Sequence, residues 1–392
     1  MPTPQYTVTA HDIQAHTAYL CQRYLRLRDH GPRCTAGMLL TVLCYAAARI
    51  SSLAAACKAL VAAPSYQAAH DALLATLPPI HELQRRLNHA LQGDLPKALR
   101  QRRQPLAIDL HLVPYHGQPL HDDDEVYRSK AKHGTSHFHA YATAYVIQKG
   151  RRYTVALAYV RKGQPLQEVI QDLLRQAAKA GVRPRYLLLD RGFCSVVVLR
   201  YLQRARYPFL MPLPLRGRKP EHPKGVSGSR VFATWKSSGW SRYTLTNDRK
   251  EQATVAVCVQ CRNRRGERGK HGREALVYAY GGGLQPSSYQ WVKETYRTRF
   301  AIETTYRQLQ QARIRTCTPD PLLRLLYVGV ALLLRNVWVW LHWEVLSHRR
   351  RGGRRIDLAQ LTFRGMLLWL QHLAEQVLGI CDEVHAERPA LT

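Results

Sequence analysis

The pattern of apolar and polar positions changes character near residue 100. Over residues 1–100 period-2 alternation is almost absent and Ala and Leu dominate, which predicts an all-helical segment. Within it, 38–50, 53–60 and 66–77 read as three short helices joined by tight turns. Ser51 is the candidate N-cap of the second, and Pro64-Ser65 precedes the third. Such a trio fits a helix-turn-helix, whose last helix enters the major groove. It fits a plain helical bundle equally well.

After a basic junction at 97–103 (KALRQRR) the pattern turns strand-like. Leu106, Ile108, Leu110 and Leu112 alternate with Ala107, Asp109, His111 and Val113, the period of a strand. Further strands are predicted at 138–148 and 152–159, with Lys149-Gly150 as the turn between them. Leu166, Val169, Ile170, Leu173 and Leu174 then recur at helical spacing over 165–180, and Gly181 stands where a C-cap does. The wholly apolar run 186–189 predicts a strand buried on both faces in mid-sheet, ending at Asp190. A helix at 196–206 and a strand at 207–213 complete the order, so the prediction is an α/β fold: a mixed sheet with flanking helices.

Residues 216–285 break this pattern. They are polar and turn-rich, with strand-like runs at 230–235, 241–246, 253–259 and 275–280 and a basic loop at 262–274. They predict an inserted β-rich subdomain. Beyond it, 288–313 reads as one helix, 322–345 as an apolar helix, 349–355 (RRRGGRR) as a flexible basic linker and 356–384 as a last helical segment. Arg324, Arg335 and Glu344 cut 322–345 into runs of about ten residues, where a bilayer span needs roughly 20. A buried core helix is expected there, and no membrane partner. The predicted division is a helical N-terminal domain at 1–100, a sheet domain in two parts (101–215 and 286–345) around the insertion at 216–285, and a linker with a C-terminal helical segment at 346–392.

Charge narrows the partner. Among 392 residues, 58 Lys and Arg stand against 27 Asp and Glu, a formal net charge of +31. One basic pocket would satisfy a small acidic substrate; a surplus this large points to a nucleic acid. The hydrophobic share of 46% supports a large core rather than disorder. The first residues, MPTPQYTVTAHD, carry no basic-then-apolar signal pattern, and nine irregularly spaced Cys suit a reducing compartment, so a cytoplasmic location is expected.

Against this background three acids stand out. Asp109 is mid-strand, on the face of Ala107 and His111. Asp190 ends the apolar strand, where open α/β sheets bind ligands, and Gly192 follows in Asp190-Arg191-Gly192-Phe193. Glu303 lies in the predicted helix 288–313. At about 100° per residue, Tyr296, Arg299, Glu303, Arg307 and Gln310 share one stripe of it, opposite Ala301, Ile302, Leu309 and Ala312. Carboxylates held together repel one another, and a divalent cation that prefers hard oxygen donors, Mg²⁺ or Mn²⁺, relieves this. Two such ions about 3.5–4 Å apart serve the attacking and leaving oxygens of a phosphodiester.

The sets Ala107-Ile108-Asp109, Leu189-Asp190-Arg191-Gly192-Phe193 and Tyr296-x2-Arg299-x3-Glu303, in this order with a β-rich insertion before the Glu, resemble the DDE transposases of prokaryotic insertion sequences. The nearest group carries a Tyr-x2-Arg-x3-Glu-x6-Lys signature, and the resemblance covers roughly residues 105–315. It implies a ribonuclease-H-like catalytic fold and cut-and-paste transposition. It also implies Asp109, Asp190 and Glu303 as catalytic ligands of Mg²⁺ or Mn²⁺, and double-stranded DNA as partner, bound by a homodimer. Tyr296 and Arg299 would contact DNA. The signature Lys falls at Gln310, an uncharged residue flanked by Arg307 and Arg313, which would share the phosphate contacts. Two other readings are a ribonuclease-H-like nuclease that cuts without joining and a catalytically silent DNA-binding repressor derived from a transposase.

Other groups read more plainly. The acidic run 122–125 is a solvated loop, and His133, His137 and His139 are neutral or phosphate-contacting. Cys258-x2-Cys261 lacks a second Cys pair and has only His271 near it. Trp235, Trp240 and Trp291 are packing residues. A protein gripping DNA through its excess charge releases counterions, each neutralised phosphate adding a slope of about −0.9 to log K against log salt. Filter-binding or anisotropy titrations over a salt series are expected to give a slope steeper than about −3.

Overall fold

The computed structural model describes residues 7–148, 152–263, 273–351 and 353–383, and within these the side chains of 263, 273, 301–305 and 349 lie outside the description. The helices in chain order are α1 (Ala10–Leu20), α2 (Ala36–Arg49), α3 (Leu53–Ala59), α4 (Tyr66–Thr76), α5 (Ile80–Gln92), α6 (Lys97–Gln101), α7 (Leu166–Lys179), α8 (Val196–Arg204), α9 (Tyr289–Arg297), α10 (Phe300–Leu309), α11 (Pro321–Trp340) and α12 (Phe363–Leu378). The strands are β1 (Gln104–Pro114), β2 (Tyr127–Lys132), β3 (Thr135–Val146), β4 (Thr154–Val160), β5 (Pro184–Leu189), β6 (Phe209–Pro212), β7 (Gly239–Thr246), β8 (Gln252–Asn263), β9 (Arg273–Gly281), β10 (His348–Arg350) and β11 (Gly353–Arg355). Contacts divide the chain into two units: Met1–Asp94 with Gly117–Asp122 and Arg307–Thr392, and Leu95–His116 with Asp123–Tyr306.

The first unit is built of helices from both ends of the chain. α11 is apolar on nearly every side, so it needs neighbours all round; it packs on α5, α2, α1 and α12 and is almost wholly buried. By length and composition it is the one described helix that could cross a membrane. Because α11 and α12 find their partners among α1, α2 and α5, the chain from Arg307 through α12 joins the N-terminal helices, a different division from the one expected at 286 and 346. Ser52, rather than Ser51, caps α3: its hydroxyl accepts the Ala55 N–H at 3.1 Å. Ser51 instead closes α2, donating its N–H to the Ala46 carbonyl at 2.9 Å, because Ile50 turns left-handed there (φ 57°). The basic run 349–355 is not simply a linker. β10 and β11 pair as a short hairpin, held by Arg354 Nη1 donating to the Trp343 carbonyl at 2.7 Å.

The second unit holds one mixed sheet in the order β2-β3-β1-β5-β6-β9-β8-β7, with β4 also paired to β3. β3 runs antiparallel to β1 and to β4, while β1, β5 and β6 are parallel to one another. The parallel crossovers are α7 and α8, whose Leu173 and Leu199 are fully buried. β2, a polar strand with no apolar alternation to reveal it, pairs with β3 across a turn made by left-handed His133 and Gly134.

The predicted inserted β-rich subdomain takes a different form. β7, β8 and β9 are antiparallel to one another, but β9 also pairs with β6 from Phe209↔Gly281 to Pro212↔Tyr278, so these strands extend the central sheet. The free edge of a buried strand leaves backbone donors and acceptors unmet, and β9 supplies their partners. Residues 228–234 form a 3₁₀ helix rather than a strand, with Ser229 Oγ donating to the Pro214 carbonyl at 2.7 Å.

The helix expected over 288–313 is broken. α9 ends at Arg297 and α10 starts at Phe300, and the chain turns at Thr298-Arg299. The Thr298 hydroxyl donates to the Thr295 carbonyl at 2.5 Å, a local bond of the kind that competes with a helical ladder. A 3₁₀ turn, Gln310–Ala312, follows α10. The single stripe from Tyr296 to Gln310 therefore does not exist as one helical face.

The link from β9 toward α9 constrains Gly282. It adopts φ +64°, and a Cβ there would lie 1.8 Å from the Tyr207 carbonyl oxygen. Gly282→Ala combines a left-handed alanine with a backbone clash and is expected to lower unfolding stability by about 2 kcal/mol or more. Thermal or urea unfolding checks this, with Gly283→Ala, which meets nothing within 4 Å, as the comparison for left-handed strain alone.

Candidate active site

The parallel pairing of β1 and β5 sets Ile108 opposite Leu189. Asp109 and Asp190 are the next residue on each strand, so their backbones sit side by side, about 4.8 Å apart in the pairing direction. Both follow residues whose side chains are fully buried, and Asp109 points to the face of Ala107 because strand side chains alternate. Ala107, Leu188 and Leu210 on that face pack with Tyr278, Val292 and Tyr296. The carboxylates thus stand where an apolar floor gives way to solvent: the Asp109 side chain is 16% exposed and that of Asp190 46%. Asp109 Oδ1 accepts the Leu110 N–H at 2.9 Å, which fixes one carboxylate oxygen. A Cβ at Gly192 would meet only Asp190 Oδ2, at an ordinary contact distance of 4.0 Å.

Arg299 is drawn into this pocket. Its Nη1 lies 3.6 Å from Asp109 Oδ2 and its Nη2 3.6 Å from Asp190 Oδ1, with the side chain only 8% exposed. The guanidinium carbon also sits 5.3 Å from the Tyr296 ring centre and 5.6 Å from that of Phe300. Tyr296 is buried, and its hydroxyl donates to the Leu189 carbonyl at 3.3 Å, which ties α9 to the end of β5. Burial pushes the Tyr296 phenol well above its ordinary value, an effect that Arg299 partly opposes. It is a neutral donor throughout the physiological range.

Tyr306 was not singled out from sequence. Its hydroxyl shares a 2.9 Å hydrogen bond with Thr143 and reaches the Asp109 carbonyl at 3.3 Å, while its ring stacks on His111 at 4.7 Å. Burial, then the Asp109 charge, raises its pKa far above the usual tyrosine range. The face rule had already placed His111 beside Asp109. What it could not supply was the helix that covers them.

Glu303 belongs to α10, and its side chain lies outside the described residues. Among the described residues no three His, Cys, Asp or Glu side chains converge as cation ligands. Arg307 and Gln310 are exposed in the first unit, and Arg313 Nη1 approaches Gln310 Oε1 at 3.4 Å. Desolvation, then Arg315, lowers the Arg313 pKa.

The other candidate groups resolve locally. Asp124 pairs with Arg161. His139 is fully buried against Tyr115, and His133 makes the β2–β3 turn. Cys258 is buried and its thiol is pushed up to about 11, while His271 lies outside the described residues. Trp240 stacks on Tyr289, Trp291 meets Tyr186 edge-on and Trp235 meets Phe232 edge-on. Beside the aspartates, a cavity of about 730 Å³ opens between β6, β9 and α9. Arg191, Lys293 and Arg297 line it with Tyr278, Tyr296 and Phe300.

No curated protein matches the chain. In three dimensions it is similar to a piggyBac transposase, solved by cryo-electron microscopy as a synaptic complex with hairpin DNA. The TM-score is 0.54 at 12% identity, covering 94% of this chain and 77% of that one, a likeness of fold. In sequence, residues 100–320 match the family model described as the transposase DDE domain. That span takes in β1 with Asp109, β5 with Asp190 and the helix of Glu303, and it exceeds half the chain; the chain belongs to the transposase DDE domain family.

Proposed function

We propose that this transposase works by cut-and-paste: it cleaves DNA at the ends of a mobile element and joins the freed 3′-hydroxyl to target DNA. The observation that carries this reading is the parallel pairing that sets Asp109, in the middle of β1, beside Asp190, just past the end of β5, with a cavity lined by Arg191, Lys293 and Arg297 next to them. The ribonuclease-H-like reading is supported by the antiparallel set β1, β3 and β4, with β2 hairpinned onto β3, followed by β5 and β6 parallel to β1 across the helices α7 and α8.

The donor set suits hard divalent cations. Two carboxylates, one with an oxygen fixed by a backbone N–H, offer oxygen ligands in a half-open pocket. Asp109 and Asp190 would hold Mg²⁺ or Mn²⁺, two ions in the working enzyme, with Glu303 as the third carboxylate. When bound, such ions supply activation of an attacking oxygen and charge neutralisation at the leaving oxygen. The rest is done by the chain itself. Tyr296 fixes α9 against β5, Tyr306 holds the Asp109 backbone, and Arg191, Lys293 and Arg297 line the cavity that admits a DNA strand. Arg307, Gln310 and Arg313 are assigned to phosphate contacts. The structural neighbour's complex contains DNA, and a net charge of +31 supports the same partner here. Joining requires two ends held together, so the working form is a dimer on DNA, and the expected setting is a prokaryotic cytoplasm.

Asp190→Asn and Glu303→Gln test the assignment on DNA carrying the element's inverted repeats with Mg²⁺ present. Both are expected to lower cleavage by roughly a hundredfold or more, the loss of a few kcal/mol of transition-state stabilisation, and to keep DNA affinity within about twofold. Full cleavage by both variants would reject the site. Supplying pre-cut 3′-hydroxyl ends is expected to yield joined product; a nuclease that cuts without joining would give none.

A further inference from the structure

We propose that Arg299 is a resident counter-cation of the aspartate pair, which holds divalent cations off until DNA draws its guanidinium away. The inference rests on the reading of Asp109 and Asp190 as cation ligands and adds the regulation of that site.

The strand register sets the two aspartates next to each other on neighbouring strands, and like charges so placed favour a cation between them. Arg299 provides one: the two arms of the fork stand at equal distance, 3.6 Å, from one oxygen of each aspartate. A guanidinium cannot shed its proton, so this charge is permanent. It is also nearly buried, against the Tyr296 and Phe300 rings. A divalent cation on the same oxygens would therefore lie next to a buried positive charge, and the two compete.

Arg299 also has a way out. It sits in the turn between α9 and α10, outside either helix, and its neighbour Phe300 is 48% exposed. Phe300 lines the cavity that also carries Arg191, Lys293 and Arg297. A DNA backbone gathered by those cations brings phosphate oxygens to the cavity beside Arg299, and a phosphate offers a guanidinium a bidentate partner as good as the carboxylates. Once Arg299 turns to phosphate, the aspartates lose that competing cation and bind divalent cations more tightly. Coupling of this kind is reciprocal: DNA tightens cation binding by the factor that the cation tightens DNA binding. The consequence is an order of assembly, DNA first and divalent cations second, that keeps the loaded site off free solution.

The test measures Mn²⁺ binding to the full chain by the electron paramagnetic resonance signal of free Mn²⁺, with and without a 30-base-pair duplex of unrelated sequence, after subtraction of a duplex blank. In the wild type, duplex is expected to raise Mn²⁺ affinity by about tenfold, within the usual range of coupling between sites. Arg299→Gln is expected to reach that raised affinity without DNA and to gain less than about twofold from it. An unchanged Mn²⁺ affinity in a folded Arg299→Gln protein, checked by its melting temperature, overturns the inference. So does a wild-type affinity that ignores duplex, a result that needs no variant. The double substitution Asp109→Asn with Asp190→Asn separates the two claims. If it abolishes Mn²⁺ binding while Arg299→Gln changes nothing, the cation site stands and the role of Arg299 falls. If Mn²⁺ binding survives the double substitution, the cation site itself is elsewhere.

Discussion

Two carboxylates forced together by strand register are the constraint around which the second unit is arranged. At the roughly 5 Å spacing of paired strands and an effective dielectric near 20, two such charges would repel by about 3 kcal/mol, a large part of what a domain has to spare. The fold meets it with a permanent cation rather than by separating the acids. Arg299 is nearly buried because both aspartates neutralise it, and Tyr296 is buried because it anchors the helix that ends just before Arg299. Tyr306, bound to Thr143 and to the Asp109 carbonyl, holds the opposite side. These side chains and one helix break act together, so none of them is a free-standing contact.

The chain separates its charges by task. A surplus of Lys and Arg over the whole sequence suits a polyanion, while the few acids that matter are collected at one point of the sheet. Beside that point the cavity wall turns cationic again at Arg191, Lys293 and Arg297. On the proposed function, a phosphodiester attracted by the wall would arrive next to the acids that would otherwise repel it. At the break at Thr298-Arg299 the Arg299 side chain approaches the two carboxylates from the turn between α9 and α10.

The sheet's continuation past β6 follows from ordinary backbone accounting. β6 is short and its Phe209, Leu210 and Met211 are fully buried, so its outer edge had to be hydrogen-bonded by something. β9 does this, and with it β8 and β7 become part of the same surface that carries Asp190. The aromatic residues of β9, Tyr278 and Tyr280, then meet Tyr296 and Trp240. In the same way α11, too apolar to face water, recruits helices from both ends of the chain.

Local chemistry was legible in the chain alone wherever one periodicity and one class of neighbour decided the outcome. The alternation around Asp109, the apolar run before Asp190, the leucine spacing of α7 and the burial of α11 all express hydrophobic patterning that any compact fold must respect. The short motifs around Asp109, Asp190 and Glu303 are equally local, and so is the excess of basic residues that suits a polyanion. Only the tertiary structure decided that β9 docks on β6, that a polar β2 completes a hairpin, and that α10 starts afresh at Phe300. It alone turned Arg299 inward to two aspartates and set Tyr306 over His111. The physical reason is that edge pairing, helix breaks and ion pairs depend on which unsatisfied donor, acceptor or charge comes nearest in space, and periodicity along a chain carries no record of distant neighbours.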